Sequence, residues 1–77
     1  MTWKFHVLAS AQRRLFSRIL QIIESQTVNI HSFNGDTIDG NVRVEFVFYS
    51  EQDKAYRIEA LLYRLEGVQD VSESVVE

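Results

Sequence analysis

The spacing of apolar residues changes along the chain, and each change marks the boundary of a predicted element. In residues 3–9 and 42–49, apolar and polar side chains alternate, with Phe46 and Phe48 on the apolar side of the later stretch. A two-residue period is typical of β-strands with one buried face. Shorter stretches at residues 28–33 and 68–76 are interpreted as two further strands. The pattern therefore predicts four strands.

Two segments between these strands carry apolar residues at helical spacing instead. In residues 11–26 the apolar stripe consists of Leu15, Ile19, Ile22 and Ile23, widened by Phe16 and Leu20. The second helix is predicted to begin at Ser50, which with Asp53 resembles a capping box, and to end at Gly67. Its buried stripe consists of Ala55, Ile58, Leu61, Leu62 and Leu65. The chain thus contains two predicted amphipathic helices.

The segment between the second and third strands, residues 34–40, reads NGDTIDG and is rich in residues that tolerate left-handed backbone angles. It is predicted to be a hairpin loop. The resulting order βαββαβ predicts an α+β, ferredoxin-like fold, with a four-stranded antiparallel sheet and two helices on one face. A single domain over residues 1–77 is expected, because no linker, repeat or low-complexity stretch interrupts the chain.

The alternation also assigns residues to the sheet face opposite the helices, called the open face below. These residues include Lys4, His6, Leu8, Arg43, Glu45, Val47 and Tyr49. Apolar side chains among them make this face less polar than a fully solvated surface, which suggests a covering partner. His6 and His31 fall on the open face as well, but the chain offers no third His and no Cys ligand, so a metal site is not expected.

Composition limits the classes of function. The chain has 77 residues, a net charge of −3 and no cysteine, so association with another chain is the remaining way to brace a small core. Nucleic acid is not an expected partner because no broad basic patch appears. Long apolar runs and a signal-peptide layout are lacking, so no membrane partner is expected and the location is expected to be cytoplasmic. No nucleophile motif or phosphate loop indicates an enzyme, and no cofactor is expected.

Residues 6–33, HVLASAQRRLFSRILQIIESQTVNIHSF, resemble the first half of the ACT domain of acetolactate synthase small (regulatory) subunits. The likeness lies in the pair Ser17-Arg18 on the first helix, and in Asn29-Ile30 with Ser32 at the second strand. Residues 62–71, LYRLEGVQDV, are similar to the end of that family's ACT domain. The length of the chain resembles the short form of these subunits.

The resemblance implies a regulatory subunit of acetolactate synthase, in branched-chain amino acid biosynthesis. It implies a homodimer formed side by side through the second strand and the first helix, docked on the catalytic large subunit. Thiamine diphosphate would belong to that partner, and valine, leucine or isoleucine would be the effector at the dimer interface. A free-standing ACT protein of another amino-acid pathway and a ferredoxin-like module for another ligand stay open.

By the same resemblance, the effector site combines two segments, the loop Ala11, Gln12, Arg13 and Arg14 and the strand start Asn29 and Ile30. Amides at a helix N-terminus suit a carboxylate, and an Asn amide can both donate and accept, as a zwitterion requires. Ligand-binding members carry a glycine where this chain has Arg14, and a positive φ without glycine is unfavourable. Either Arg14 meets a ligand or partner carboxylate, or the effector site is lost and a scaffold remains.

Each candidate also has a purely structural interpretation. Asn29 could only satisfy a turn before the second strand, and Arg13 with Arg14 could be a solvated face. Tyr56 and Tyr63 lie seven residues apart on the second helix. They are either an aromatic flank suited to an interface or scattered surface tyrosines. The sequence leaves both interpretations open.

Overall fold

The computed structural model describes residues 1–76, so residue 77 of the predicted domain lies outside the described residues. The elements are β1 (Thr2–Ser10), α1 (Leu15–Ser25), β2 (Asn29–Ile38), β3 (Asn41–Tyr49), α2 (Gln52–Tyr63) and β4 (Val68–Val75). The predicted βαββαβ order is therefore confirmed.

The four strands form one sheet in the order β2-β3-β1-β4, and every neighbouring pair is antiparallel. β1 and β3 pair along their whole length, from Thr2 opposite Tyr49 to Ser10 opposite Asn41. Both helices cover the same face, since the side chains of β1 and β3 are buried on that side and largely exposed on the other. β2 and β4 are the edge strands.

The core lies between the helices and the central strands. Phe5, Phe46 and Phe48 have no exposed surface, and their ring centroids lie 5.2 to 5.7 Å apart. Burying an aromatic side chain of this size is worth roughly 2 to 3 kcal/mol, so this cluster is a large part of the stabilisation of the small domain. The helices contribute the buried residues Leu15, Ile19, Ile23, Ala55, Ile58 and Leu62. The prediction that Phe46 and Phe48 anchor the core is confirmed.

The predicted hairpin between β2 and β3 is confirmed, but its predicted loop over residues 34–40 is too long. β2 continues through most of it, with Asn34 opposite Glu45 and Ile38 opposite Asn41. The turn itself is Asp39-Gly40, and both residues have positive φ, 50° and 78°. Two residues with positive φ fit the twist of a hairpin, so this pair is sufficient to reverse the chain. Pairing with β3 outweighs the weak strand preference of the preceding residues.

The predicted beginnings of the helices also differ from the structure. α1 begins at Leu15 and not at residue 11, and α2 has Glu51 as its N-cap, without a side-chain cap. The predicted capping box at Ser50 is therefore wrong. Ser50 is buried, and its carbonyl accepts from the N-terminal amine at 3.1 Å and from Trp3 Nε1 at 3.3 Å. It secures the start of β1 to the end of β3.

Candidate functional site

The loop between β1 and α1 is fixed by two glycine turns at the same end of the sheet. The Ala11 amide donates to the Gly40 carbonyl at 2.8 Å, and the Ser10 amide donates to the Gly67 carbonyl at 2.9 Å. Gly67 has φ of +89°, and a Cβ there would lie 2.8 Å from Cγ of Gln12. A side chain at position 67 would therefore be strained and would displace Gln12, so glycine is favoured there.

Arg14 adopts the left-handed conformation that glycine would adopt without strain. Its φ and ψ are 62° and 26°, and its carbonyl accepts the Arg18 amide at 3.0 Å, which starts α1. This conformation costs a residue with a side chain about 1 to 2 kcal/mol. The side chains of Arg13 and Arg14 are exposed, and no ion pair or hydrogen bond involves them within residues 1–76. The loop backbone therefore has the left-handed conformation that glycine favours, and the side chains of Arg13 and Arg14 are two unpaired cations.

The other segment of the predicted site, Asn29 and Ile30, lies at the opposite end of the sheet. Asn29 pairs with Tyr49, whose other neighbour is Thr2 at the start of β1, whereas the loop follows Ser10 at its end. The nine residues of β1 span roughly 26 Å. One chain therefore does not bring the loop and Asn29 together.

Along the β2 edge, α1 and β2 form a partly exposed apolar flank. Phe16 lies directly against Gly35 of β2, where a Cβ would contact the ring. Leu20, one helical turn later, is also half-buried. Val28, Ile30 and Phe33 are half-buried apolar residues of the same region. Within the described residues, no strand pairs with the outer edge of β2, so its backbone is open to a partner.

The open face carries the polar residues that the alternation predicted, with Leu8 and Tyr49 exposed among them. At its centre, His6 Nε2 donates to Glu45 Oε2 at 2.8 Å, and Lys4 Nζ lies 3.4 Å from Glu45 Oε1. Desolvation tends to raise the pKa of Glu45, but the hydrogen bond from His6 and the Lys4 ammonium hold that pKa below its usual value. The three side chains therefore satisfy one another.

His31 lies in an irregular part of β2. The register of β2 against β3 shifts between Ile30 and Ser32, so His31 has no pairing partner opposite it in the β3 register. Its side chain is exposed. No group of three potential metal ligands occurs among residues 1–76.

A pair of carboxyl groups on the helix side of β4 was missed by sequence reasoning. Burial, a hydrogen bond with the Glu59 carboxyl and the charge of Glu59 raise the pKa of Glu73 to about 7. Glu73 lies opposite Phe5 and therefore on the core side of the sheet. The signal was present in the sequence, since Glu73 shares its strand parity with Val71 and Val75.

The two tyrosines of α2 have different surroundings. The Tyr63 hydroxyl accepts from the Val71 amide at 3.0 Å and donates to the Val71 carbonyl at 3.1 Å, so it ties α2 to β4. The Tyr56 hydroxyl accepts from Gln52 Nε2 at 2.7 Å, and its ring packs edge-on against Trp3 with centroids 6.1 Å apart. Tyr63 has a defined intramolecular role, which the sequence could not distinguish from an interface role.

Comparison with known proteins adds the class of fold. No family model matches the sequence, and no curated protein matches it. Among solved structures, the ACT domain of GTP pyrophosphokinase from Chlorobium tepidum is 17% identical with a TM-score of 0.86, covering 96% of this chain and 97% of that one. The C-terminal domain of MgtC from Mycobacterium tuberculosis is 15% identical with a TM-score of 0.76, covering 95% and 84%. The chain therefore has the fold of ACT domains.

One structural neighbour matches the family that the sequence motifs resemble. The acetolactate synthase small subunit from Thermotoga maritima is 16% identical with a TM-score of 0.80. The alignment covers 95% of this chain and 47% of that one, so this chain spans about half of that subunit. At this identity the likeness is one of fold.

None of the helices in residues 1–76 is long and apolar enough to cross a membrane.

Proposed function

We propose that the chain is a cytoplasmic, regulatory, partner-binding ACT domain that pairs side by side with a second copy through β2 and α1. The observation that carries this proposal is the apolar flank of Phe16, Leu20 and Ile30 beside an unpaired strand edge. A strand edge left open beside apolar surface favours pairing with another strand. A small domain without disulfides gains stability from such pairing.

Pairing of this kind also accounts for the separation of the candidate site. If two copies join their β2 edges antiparallel about a two-fold axis, the start of one β2 lies beside the end of the other. The end of β2, Ile38, is followed by the turn whose Gly40 carbonyl holds Ala11. Asn29 of one copy would thus approach the Ala11 to Arg14 loop of the other. The effector site is complete only in the dimer.

In this arrangement an amino acid binds at the seam between the two copies. Its carboxylate meets the Arg13 and Arg14 guanidinium groups and the amides that precede α1, and Asn29 of the second copy meets its ammonium group. Valine, leucine or isoleucine is the proposed effector, in line with the resemblance of the motifs. Regulation requires that the effector bind one relative geometry of the two copies better than another.

The proposed partner is the catalytic large subunit of acetolactate synthase, which would carry thiamine diphosphate. The support is the agreement between the motifs in residues 6–33 and 62–71 and the fold shared with a small subunit of that enzyme. A free-standing ACT protein of another amino-acid pathway is the alternative, since the shared fold does not by itself select a partner.

The oligomeric state tests the side-by-side pairing. Light scattering on the purified chain should give twice the 9.0 kDa mass of one copy. Leu20→Glu places a charge on the flank and should give a monomer at the same concentration, whereas Ala60→Glu adds the same charge at an exposed position of α2 and should leave a dimer. A monomeric wild type, or equal effects of both substitutions, would contradict the pairing.

Thermal unfolding tests the effector. One of valine, leucine and isoleucine, at about 100 times its dissociation constant, should stabilise the chain by about 2.7 kcal/mol. Leu20→Glu should lose this selective shift, because the site needs both copies. The partner is tested by adding the chain to the purified catalytic subunit and measuring the rate of acetolactate formation. An unchanged rate, with and without the effector, would favour the free-standing alternative.

A further inference from the structure

A row of four side chains crosses the open face, one from each strand. Asp36 of β2 lies opposite Arg43 of β3, Arg43 opposite Leu8 of β1, and Leu8 opposite Asp70 of β4. All four line a shallow depression of about 460 Å³. From β2 to β4, the row therefore consists of an anionic, a cationic, an apolar and a second anionic side chain.

The charged groups of this row are not satisfied within the chain. In residues 1–76, no ion pair or hydrogen bond involves the side chains of Asp36 or Arg43. Asp70 Oδ1 has only a long contact, 3.5 Å from the Tyr63 hydroxyl, whose proton is better placed on the Val71 carbonyl at 3.1 Å. The row therefore offers the unpaired carboxylate of Asp36, the unpaired guanidinium of Arg43 and the Asp70 carboxylate, whose contact with Tyr63 is long.

His6 and Glu45 lie two residues along the strands from Leu8 and Arg43, and they line the same depression. Their side chains are bonded to each other, and Lys4 lies 3.4 Å from Glu45, so these three charges are already paired. Leu8 is 38% exposed between Arg43 and Asp70, so it provides apolar surface at the centre of the row. A ligand can therefore make charged contacts at both ends and an apolar contact between them.

We propose that this row binds a small molecule with two cationic groups and one carboxylate, the charge pattern of a basic amino acid such as lysine. The α-ammonium group contacts Asp36 and the α-carboxylate contacts Arg43. The methylene chain lies over Leu8, and the terminal cation contacts Asp70. The site lies within one chain and is separate from the effector site at the proposed seam.

The dimensions of the row agree with such a ligand. The backbones of Asp36 and Asp70 are three strand spacings apart, roughly 14 Å. With the two carboxylates held at that separation, hydrogen bonds of about 2.9 Å at both ends leave roughly 8 Å between the two cations of the ligand. An extended lysine or arginine fits this separation. Arg43 lies next to Asp36, as the adjacent ammonium and carboxylate groups of an α-amino acid require.

Amide NMR spectra of the ¹⁵N-labelled chain at low ionic strength test the proposal, with L-lysine as the probe. Lysine should shift the amides around Leu8 and Arg43. Norleucine lacks the terminal ammonium and lysinamide lacks the carboxylate, so each should bind more weakly, by up to about fivefold, as expected for losing one exposed charge-assisted contact. Leu20→Glu should retain lysine binding, because the row needs no second copy.

Two substitutions and a matched control assign the contacts. Asp70→Asn should remove the preference for lysine over norleucine, and Arg43→Gln should remove the preference for lysine over lysinamide. Glu24→Gln makes the same charge change as Asp70→Asn on the exposed side of α1 and should leave lysine binding unchanged. The proposal is wrong if lysine at 50 times the protein concentration shifts no open-face amide, if norleucine binds as tightly, or if Glu24→Gln weakens binding as much as Asp70→Asn.

Discussion

Gly35 is expected to be required for the packing of α1 on β2, and Gly35→Ala tests this. Gly35 lies in the middle of β2, opposite Val44, and therefore on the helix side of the sheet. An added Cβ would contact Cε1 of Phe16 directly and lie 3.0 Å from Cδ1 and Cζ. Because these atoms belong to a side chain that is only half-buried, the ring can move away, but it then leaves its position against the core.

The net effect follows from two opposing terms. Overpacking of this kind costs about 1 to 3 kcal/mol, and the half-exposed ring places it near the lower end. Replacing glycine by alanine in a strand returns about 0.5 kcal/mol by restricting the unfolded chain. Gly35→Ala should therefore destabilise the protein by about 0.5 to 1 kcal/mol, which lowers the melting temperature of a domain of this size by about 2 to 8 °C.

A double-mutant cycle separates the contact with Phe16 from an effect of the strand itself. Urea unfolding can be followed through Trp3, the only tryptophan, which is 4% exposed. In the Phe16→Ala background the clash is absent, so Gly35→Ala should stabilise by about 0.5 kcal/mol. All four proteins are compared at one concentration, because self-association shifts stability. An equal destabilisation in both backgrounds would refute the contact as the cause.

Three further predictions concern single residues. Arg14→Gly should raise stability by about 1 kcal/mol in urea unfolding, because it relieves the left-handed strain. The pKa of Glu73, about 7, lies above the usual 4.5, so its stabilising contribution is complete below pH 4.5 and is lost as the pH rises to about 7. With solvent screening of this partly exposed pair taken into account, Glu73→Gln should reduce the change in unfolding free energy over this pH range by on the order of 1 kcal/mol. Glu66→Gln, at an exposed position, should leave the pH dependence unchanged. Tyr63→Phe should cost about 1 to 2 kcal/mol and speed hydrogen exchange at the Val71 amide.

The fold was predictable from the sequence because the two central strands alternate strictly. The parity of Phe46 and Phe48 fixed which face is buried, and the helical spacing of Ile19 and Ile58 fixed which side of each helix covers it. These patterns arise from burial, which acts on every residue of an element. Local signals were less reliable, because one hydrogen bond can override them. The Ser50 hydroxyl donates to the Glu51 carbonyl at 2.9 Å, so its side chain does not cap α2.

The two segments of the candidate site stay a prediction, and the structure shows where they lie. The loop Ala11 to Arg14 precedes α1 and Asn29 begins β2, and the distance between them depends on strand direction, which the motifs do not give. The row from Asp36 to Asp70 was not predictable, because residues 34–38 were interpreted as loop. Asp36 lies opposite Arg43 only because β2 extends beyond residue 33, and this extension supplies the β2 member of the row.

The strained residues at the two ends of α1 link stability to the proposed seam. Arg14 precedes the helix with φ of 62°, and Thr27 follows it with φ of 60°. Both positions would be less strained as glycine, and two such residues take up a sizeable share of the roughly 5 to 10 kcal/mol that stabilises a small domain. Strain of this kind persists where the surrounding structure holds the residue in place, and it clusters at functional sites. If Arg14 contacts the proposed effector, Arg14→Gly should make the chain more stable and weaken effector binding at the proposed seam. A variant that gained stability and kept the full thermal shift with the effector would assign Arg14 to the solvated surface and leave Asn29 as the recognition residue.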